Sequence, residues 1–416
     1  MLNAGHKHSQ LLGLGNSILA KEKAKRYHLV IKSLPQLITA VGRTWPVVAD
    51  ATSRGNIKML KSFLGPAYRG LFEQCAKGAS FSSMNPSHKV HFDWQYTRDY
   101  PELAKLYNAA NSSQWNATES IDWSRDVDPL DLTGLLLPDA FCPANVLPMW
   151  SKLSPLEKSK QRHSLLSWFL SQILHGEQAA LYGAAQVMQA VPWLDGKLFG
   201  ATQVVDEGRH IEVFHRYLHE KMEKVYEINE NLYVLTEALM EDPRWDVKFL
   251  GMQIMIEGFG LGSFSTIRKV TGEPVLKDCL KYVIGDEARH VHYGVLALER
   301  YYKTELNEAE LREREEWAFE VCLLLQRRFL AHEIYDEYYT HLFTPKAWDK
   351  FVSESALMGF FRSSMFRMII PNLKRLGLMS ERIRPKYEQL GLLHLENGRA
   401  APELSVAQII DMPLVK

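Results

Sequence analysis

Two five-residue segments carry the densest concentration of chemically capable side chains in this 416-residue chain: DEGRH at 206–210 and DEARH at 286–290. They share four of five residues and lie 80 positions apart. In each, a glutamate is followed three positions later by a histidine, a spacing that puts both on one face of a helix. Each motif also has a glutamate 30 residues upstream, Glu177 before Glu207 and Glu257 before Glu287. With His210 and His290 this makes four carboxylates and two imidazoles, a donor set suited to divalent metal ions.

Helix geometry supports the pairing. If the two glutamates of a pair face one another across a helical hairpin, the turn must lie midway between them. The midpoint of 177 and 207 is Pro192, inside VPWLDG, and that of 257 and 287 is Gly272, inside TGEP. At ~1.5 Å per residue each pair lies about 22 Å from its turn. Two such hairpins packed together bring all six side chains into one bundle core. Four buried carboxylates without counter-charge are costly. Two divalent cations balance them, and mixed carboxylate and imidazole ligation suits iron or manganese better than calcium, magnesium or a structural zinc.

The elements that must position these residues are legible from capping and periodicity. SPLEKSK at 154–160 reads as a helix start, with a Ser cap, Pro in the first turn and Glu at the third position. Helices are expected from there to about 190, over 197–223, 245–268 and 275–304, then over 307–341 and 355–376. Earlier helical stretches are expected near 17–42 and 57–76. The run from 78 to 148 holds six prolines and is expected to be irregular. Period-2 strand patterns are almost absent, so the predicted fold class is all-α. Three parts follow: residues 1–155 as an extension of helix and loop, 156–304 as the bundle, and 305–416 as helices packing on it.

Composition narrows the function. Hydrophobic residues at 46% and charged residues at 24% fit an ordinary globular protein. Forty-nine basic residues balance 49 acidic ones, which gives no support for a nucleic-acid partner. Cys75, Cys142, Cys279 and Cys322 lie far apart and are expected to be reduced and structural. The N-terminal residues do not read as a signal peptide, and no apolar run approaches the ~20 residues of a membrane span. A cytoplasmic location without membrane contact is the expectation.

At the two motifs and their upstream glutamates the chain resembles the ferritin-like di-iron carboxylate superfamily, which includes ribonucleotide reductase small subunits, bacterial multicomponent monooxygenase hydroxylases and acyl-carrier desaturases. The likeness covers roughly 160–304. It implies a ferritin-like four-helix bundle in which Glu177, Glu207 and His210 hold one ion and Glu257, Glu287 and His290 the other, with Glu207 and Glu287 bridging. It also implies that Asp206 and Asp286 each accept a hydrogen bond from the opposite ligand histidine, with Arg209 and Arg289 paired to those acids.

Three positions depart from relatives' patterns. Phe214 stands where reductase subunits carry a radical tyrosine, Leu261 where multicomponent hydroxylases carry a threonine, and Val283 where arylamine oxygenases carry a third histidine. A reductase role is therefore not expected. One turn from the ligands, Phe214, Gly260, Leu261 and Val283, with small Gly294, are expected to line an apolar substrate pocket. Gln203 and Gln253 are placed to bond a ligand carboxylate or a substrate.

The implied activity is that of an oxygenase or oxidase in which two iron ions, or a manganese/iron pair, activate O2 toward a small apolar or amine substrate. The alternative is a non-enzymatic iron-handling protein. No flavin, nucleotide or iron–sulfur fingerprint is present, so a separate ferredoxin or reductase is the expected electron donor. Relatives are often homodimers. His175, His215 and His292 fall off the ligand face. Trp94, Trp115 and Trp123 are expected to serve core packing, with an electron route as the other reading.

Overall fold

Solvent-averse stripes at helical spacing dominate the chain, and they fold into helices. The computed structural model describes residues 57–73, 84 and 88–414; the helix expected near 17–42 and the end of the one at 57–76 lie outside the described residues. The described residues fall in one compact unit, Val47–Lys416. The helices are, in order, α1 (Ile57–Ala67), α2 (Pro101–Ser112), α3 (Pro155–Ala190), α4 (Leu194–Arg216), α5 (Glu230–Glu241), α6 (Trp245–Phe249), α7 (Glu257–Val270) and α8 (Pro274–Thr304). They continue as α9 (Glu308–Arg328), α10 (His332–Tyr338), α11 (Pro345–Ser353), α12 (Ala356–Phe366), α13 (Ile370–Arg375), α14 (Arg384–Gln389) and α15 (Val406–Ile410). Among the described residues there is no strand, and the all-α class holds. No helix of the described residues is long and apolar enough to cross a membrane.

Two hairpins organise the molecule. The capping box at Ser154 is formed: its hydroxyl accepts from the Glu157 amide, and the Glu157 carboxylate accepts from the Ser154 amide at 2.7 Å. α3 ends at Ala190 and α4 begins at Leu194, so the turn falls on Pro192. α7 ends at Val270 and α8 begins at Pro274, so the second turn falls on Gly272. Glu273 caps α8 by accepting from the amides of Val275 and Leu276, each at 2.7 Å. α4 packs on α8, and α3 on the segment leading into α7. Segments on either side of the hairpins join the same core through residues such as Leu103, Trp150, Trp317, Trp348 and Met365.

The structure differs from the sequence expectation at several boundaries. Within the run expected to be irregular, α2 forms because Pro101 occupies the first helical turn, where its missing N–H is not needed. The connector after α4 contains α5, capped by Asn229. The third long helix is not uniform: a π-helical stretch, Leu250–Ile256, joins α6 to α7. The helix expected over 307–341 breaks into α9 and α10 at Ala331, which adopts a left-handed backbone (φ 45°). The helix expected over 355–376 is interrupted between α12 and α13.

Candidate metal centre

Five of the six candidate ligands ride within long helices and are fixed by their packing. Glu177 lies on α3, Glu207 and His210 on α4, Glu257 at the start of α7, and Glu287 and His290 on α8. All six are buried, four of them with no exposed surface at all. The hairpin geometry brings them together in two overlapping groups of four, Glu177–Glu207–His210–Glu287 and Glu207–Glu257–Glu287–His290. Within each group one donor atom per residue lies within 4.8 Å of all the others. Glu207 and Glu287 belong to both groups.

The imidazoles are oriented from behind. His210 Nε2 lies 3.2 Å from Asp286 Oδ2, and His290 Nε2 lies 3.2 Å from Asp206 Oδ2, each reaching across to the other motif. If each Nε2 carries the proton, Nδ1 is left as the lone-pair donor facing the carboxylates. His210 Nδ1 is 3.2 Å from Glu177 Oε2 and 3.1 Å from Glu287 Oε1, and His290 Nδ1 is 3.2 Å from Glu207 Oε1. Arg209 pairs closely with Asp206 and reaches Asp286 at 3.4 Å, while Arg289 pairs closely with Asp286. Those guanidinium groups offset the two aspartates and leave the four glutamates as the charge that any bound cations must balance.

Gln203 Nε2 donates to Glu207 Oε1 and Glu257 Oε1, each at 3.1 Å, and Gln253 Nε2 donates to Gln203 Oε1. The two carboxylates fix the Gln203 amide, since its nitrogen must face them. Its oxygen then requires the Gln253 nitrogen, and Gln253 Oε1 is left as a buried acceptor without a partner. Both glutamines thus serve the carboxylates.

Electrostatics show how poorly the carboxylates tolerate one another without cations. Burial pushes the Glu177 carboxyl up to about 8. Burial, reinforced by the negative charges of Glu207 and Glu287, raises Glu257 well above the carboxylate range. Against its own burial, Glu207 is held well below that range by His290 and His210. Both histidines are raised well above their ordinary value despite burial, by the acids around them. Several donor atoms aimed at the centre have no hydrogen-bond partner: Glu207 Oε2, both oxygens of Glu287, and His290 Nδ1. Buried polar atoms are normally satisfied, so this group fits a set of ligands that a cation would satisfy. The described residues can hold metal ions here.

The expected pocket residues occupy different settings. Phe214, Leu261 and Val283 are fully buried, and Phe214 stacks on Phe264 with ring centres 5.6 Å apart. A side chain at Gly260 would press on the Phe264 ring, and one at Gly294 would collide with Gln253 Cβ at 2.4 Å, so neither glycine opens a space. An apolar cavity does exist, but it is walled by residues such as Leu166, Phe169, Ile267 and Trp348 rather than by these.

His175 bonds the Tyr226 carbonyl at 2.9 Å, His215 packs against the tilted His219 ring, and His292 is absent from both ligand groups, so all three lie away from the centre. The three tryptophans separate. Trp94 is 74% exposed, and Trp123 bonds the Ala117 carbonyl. Trp115 instead donates to Asp286 Oδ2 at 2.7 Å, with Arg209 5.2 Å from its ring centre and Tyr282 stacked on it. Its link to the site had no sequence signal, because the two residues are 171 positions apart. Cys142, Cys279 and Cys322 are free and buried. In comparisons with known proteins, no family model matches the chain and no curated protein matches it.

Proposed function

We propose that this chain is a ferritin-like di-iron (or manganese/iron) oxidase or oxygenase. The observation that carries the reading is the pair of overlapping four-residue groups with orphaned carboxylate and imidazole atoms at their shared centre. Glu177 and His210 would hold one ion, Glu257 and His290 the other, and Glu207 and Glu287 would bridge them. Two redox-active ions so held supply activation of O2, chemistry that protein side chains alone do not provide.

The chain's own residues then have definite tasks. Asp206 and Asp286 would accept the Nε2 protons of His290 and His210, which would leave each Nδ1 free to hold a cation among the carboxylates. Gln203 ties Glu207 to Glu257 and restrains both carboxylates. Phe214, Leu261, Val283 and Phe264 exclude water and keep the local dielectric low. Trp115, hydrogen-bonded to Asp286, would pass electrons from an external donor such as a ferredoxin or reductase. A small apolar or amine molecule is the proposed substrate class, and it would have to displace side chains of this closely packed lining to reach the centre.

A second reading has one observation in its favour. The residues one turn from the ligands are closely packed, as suits an iron-handling protein without an organic substrate. Anaerobic loading with ferrous ion followed by oxygen exposure separates the two. The oxidase reading expects O2 uptake that recurs with each addition of reductant. A single uptake matched to the bound iron, or continued iron accumulation, would favour iron handling.

A further inference from the structure

The six candidate ligands are not equally sealed. Glu207, His210, Glu287 and His290, on α4 and α8, have no exposed surface, whereas Glu177 on α3 keeps 5% and Glu257 on α7 keeps 3%. The centre therefore reaches the outside on the α3–α7 side. Packing along that seam accounts for the opening. A Cβ at Gly183 of α3 would lie 2.3 Å from Met252 Cε, so α3 fits tightly against the π-helical stretch there. Gly176 lies two turns earlier on the same face of α3, and a Cβ on it would meet nothing within 4 Å. Because Glu177 is level with Glu257 and Gly183 with Met252, the two helices run antiparallel, and Gly176 faces the level of Phe259 and Gly260. Gly260 is itself only partly buried. Two residues without side chains thus border a gap beside Glu177 and Glu257.

Arg328, the last residue of α9, stands at this gap. Its guanidinium carbon lies 5.3 Å from the centre of the Phe259 ring on α7. Its charge also reaches His175 on α3, where it acts with burial to depress the imidazole. The side chain is thus held between the two helices at the height of the glycines. It is more than nine-tenths buried, yet no hydrogen bond or ion pair among the described residues meets it. Burial lowers its pKa to about 10, and the acid whose charge opposes this, Glu333, already accepts from Trp168 and Asn229. A buried guanidinium without acceptors is costly, and a carboxylate satisfies two of its N–H groups at once in fork geometry.

We propose that this gap binds a small apolar monocarboxylate, with the carboxylate on Arg328 and the apolar part against Phe259 and Gly260, toward the carboxylate cluster. Its role as the entrance to a reactive centre rests on the proposed dimetal reading; the binding itself does not. Arg328 selects the anion, and the missing side chains of Gly176 and Gly260 leave the room.

Calorimetric titration of the metal-free full chain with sodium benzoate and with benzamide, its neutral isostere, tests the site. The wild type should bind benzoate at one site, about tenfold or more tighter than benzamide, since hydrogen bonds to a charged group are worth that much. Arg328→Gln should remove the preference by weakening benzoate alone, and Arg328→Lys should restore part of it. Gly176→Leu, which fills the gap, should weaken both ligands. The open space at that position lets the variant fold, and melting temperatures confirm this for each protein. Equal affinity for the two ligands in the wild type, an unchanged preference in Arg328→Gln, no saturable binding of either ligand, or unaltered binding in Gly176→Leu would each overturn the proposal. Two ions bound per chain without a benzoate preference would sink this site alone and leave the dimetal reading standing. A benzoate preference in a chain that loads no metal would uphold the site and remove its role as an entrance.

Discussion

Asp286 is where the polar contacts of the site converge: it meets His210, accepts from Trp115, and pairs with Arg209 and Arg289. Those partners hold its carboxyl at about 2, against the penalty of burial, so it stays ionised and acceptor-only. Asp286→Asn keeps the shape but removes the charge that fixes the His210 tautomer. It should lower metal affinity by roughly 10–100-fold, the usual loss when such a partner is changed. Cobalt(II) titration followed by visible absorbance reads this directly, and an unaltered affinity would remove Asp286 from the account.

Titration gives a second test at the same scale. Buried Glu177 keeps its proton up to about 8, whereas the unfolded carboxyl loses it near 4.5. Between those values the folded chain binds more protons than the unfolded one, so this residue's contribution to metal-free stability falls as pH rises. Glu257, also raised, acts in the same direction, while Glu207 and Glu287, both lowered, lose their contribution on the acid side. The melting temperature of metal-free Glu177→Gln should therefore decline less across that window than that of the wild type. Parallel slopes would contradict the assignment. The six candidate ligands could be read from sequence because each needs a particular residue type at helical spacing. Trp115 could not, because only the tertiary fold brings it to Asp286.

At the scale of elements, the hairpin turns at Pro192 and Gly272 were legible because symmetric spacing about a turn is a one-dimensional property of the chain. The break at Ala331 was not, since nothing in its residue type announces a left-handed backbone. The π-helical stretch before Glu257 was equally hidden: its apolar residues suit a buried helix of either winding. One glycine has a clear structural duty. A Cβ at Gly262 of α7 would lie 2.7 Å from the Met365 carbonyl oxygen, so the close crossing of α7 and α12 depends on its absence. Gly262→Ala should destabilise the fold by about 1–3 kcal/mol, the range for overpacking. Urea unfolding checks this, and an unchanged midpoint would show that the crossing relaxes freely.

Among the described residues, the helical class and the two hairpins were legible in the sequence, whereas the packing of the flanking segments emerged only in three dimensions. Those segments share the hydrophobic core with the hairpins, so cations bound among four helices should stabilise the described unit cooperatively. The melting temperature should rise with added ferrous or manganous ion and saturate at the loading stoichiometry. The most direct test of the central claim is that stoichiometry itself, measured by elemental analysis after anaerobic loading of the wild type, Glu207→Ala and His290→Ala. Two ions per chain in the wild type, with two-ion loading lost in both variants, is the predicted result. Fewer than two in the wild type, or two retained in both variants, would contradict the dimetal centre.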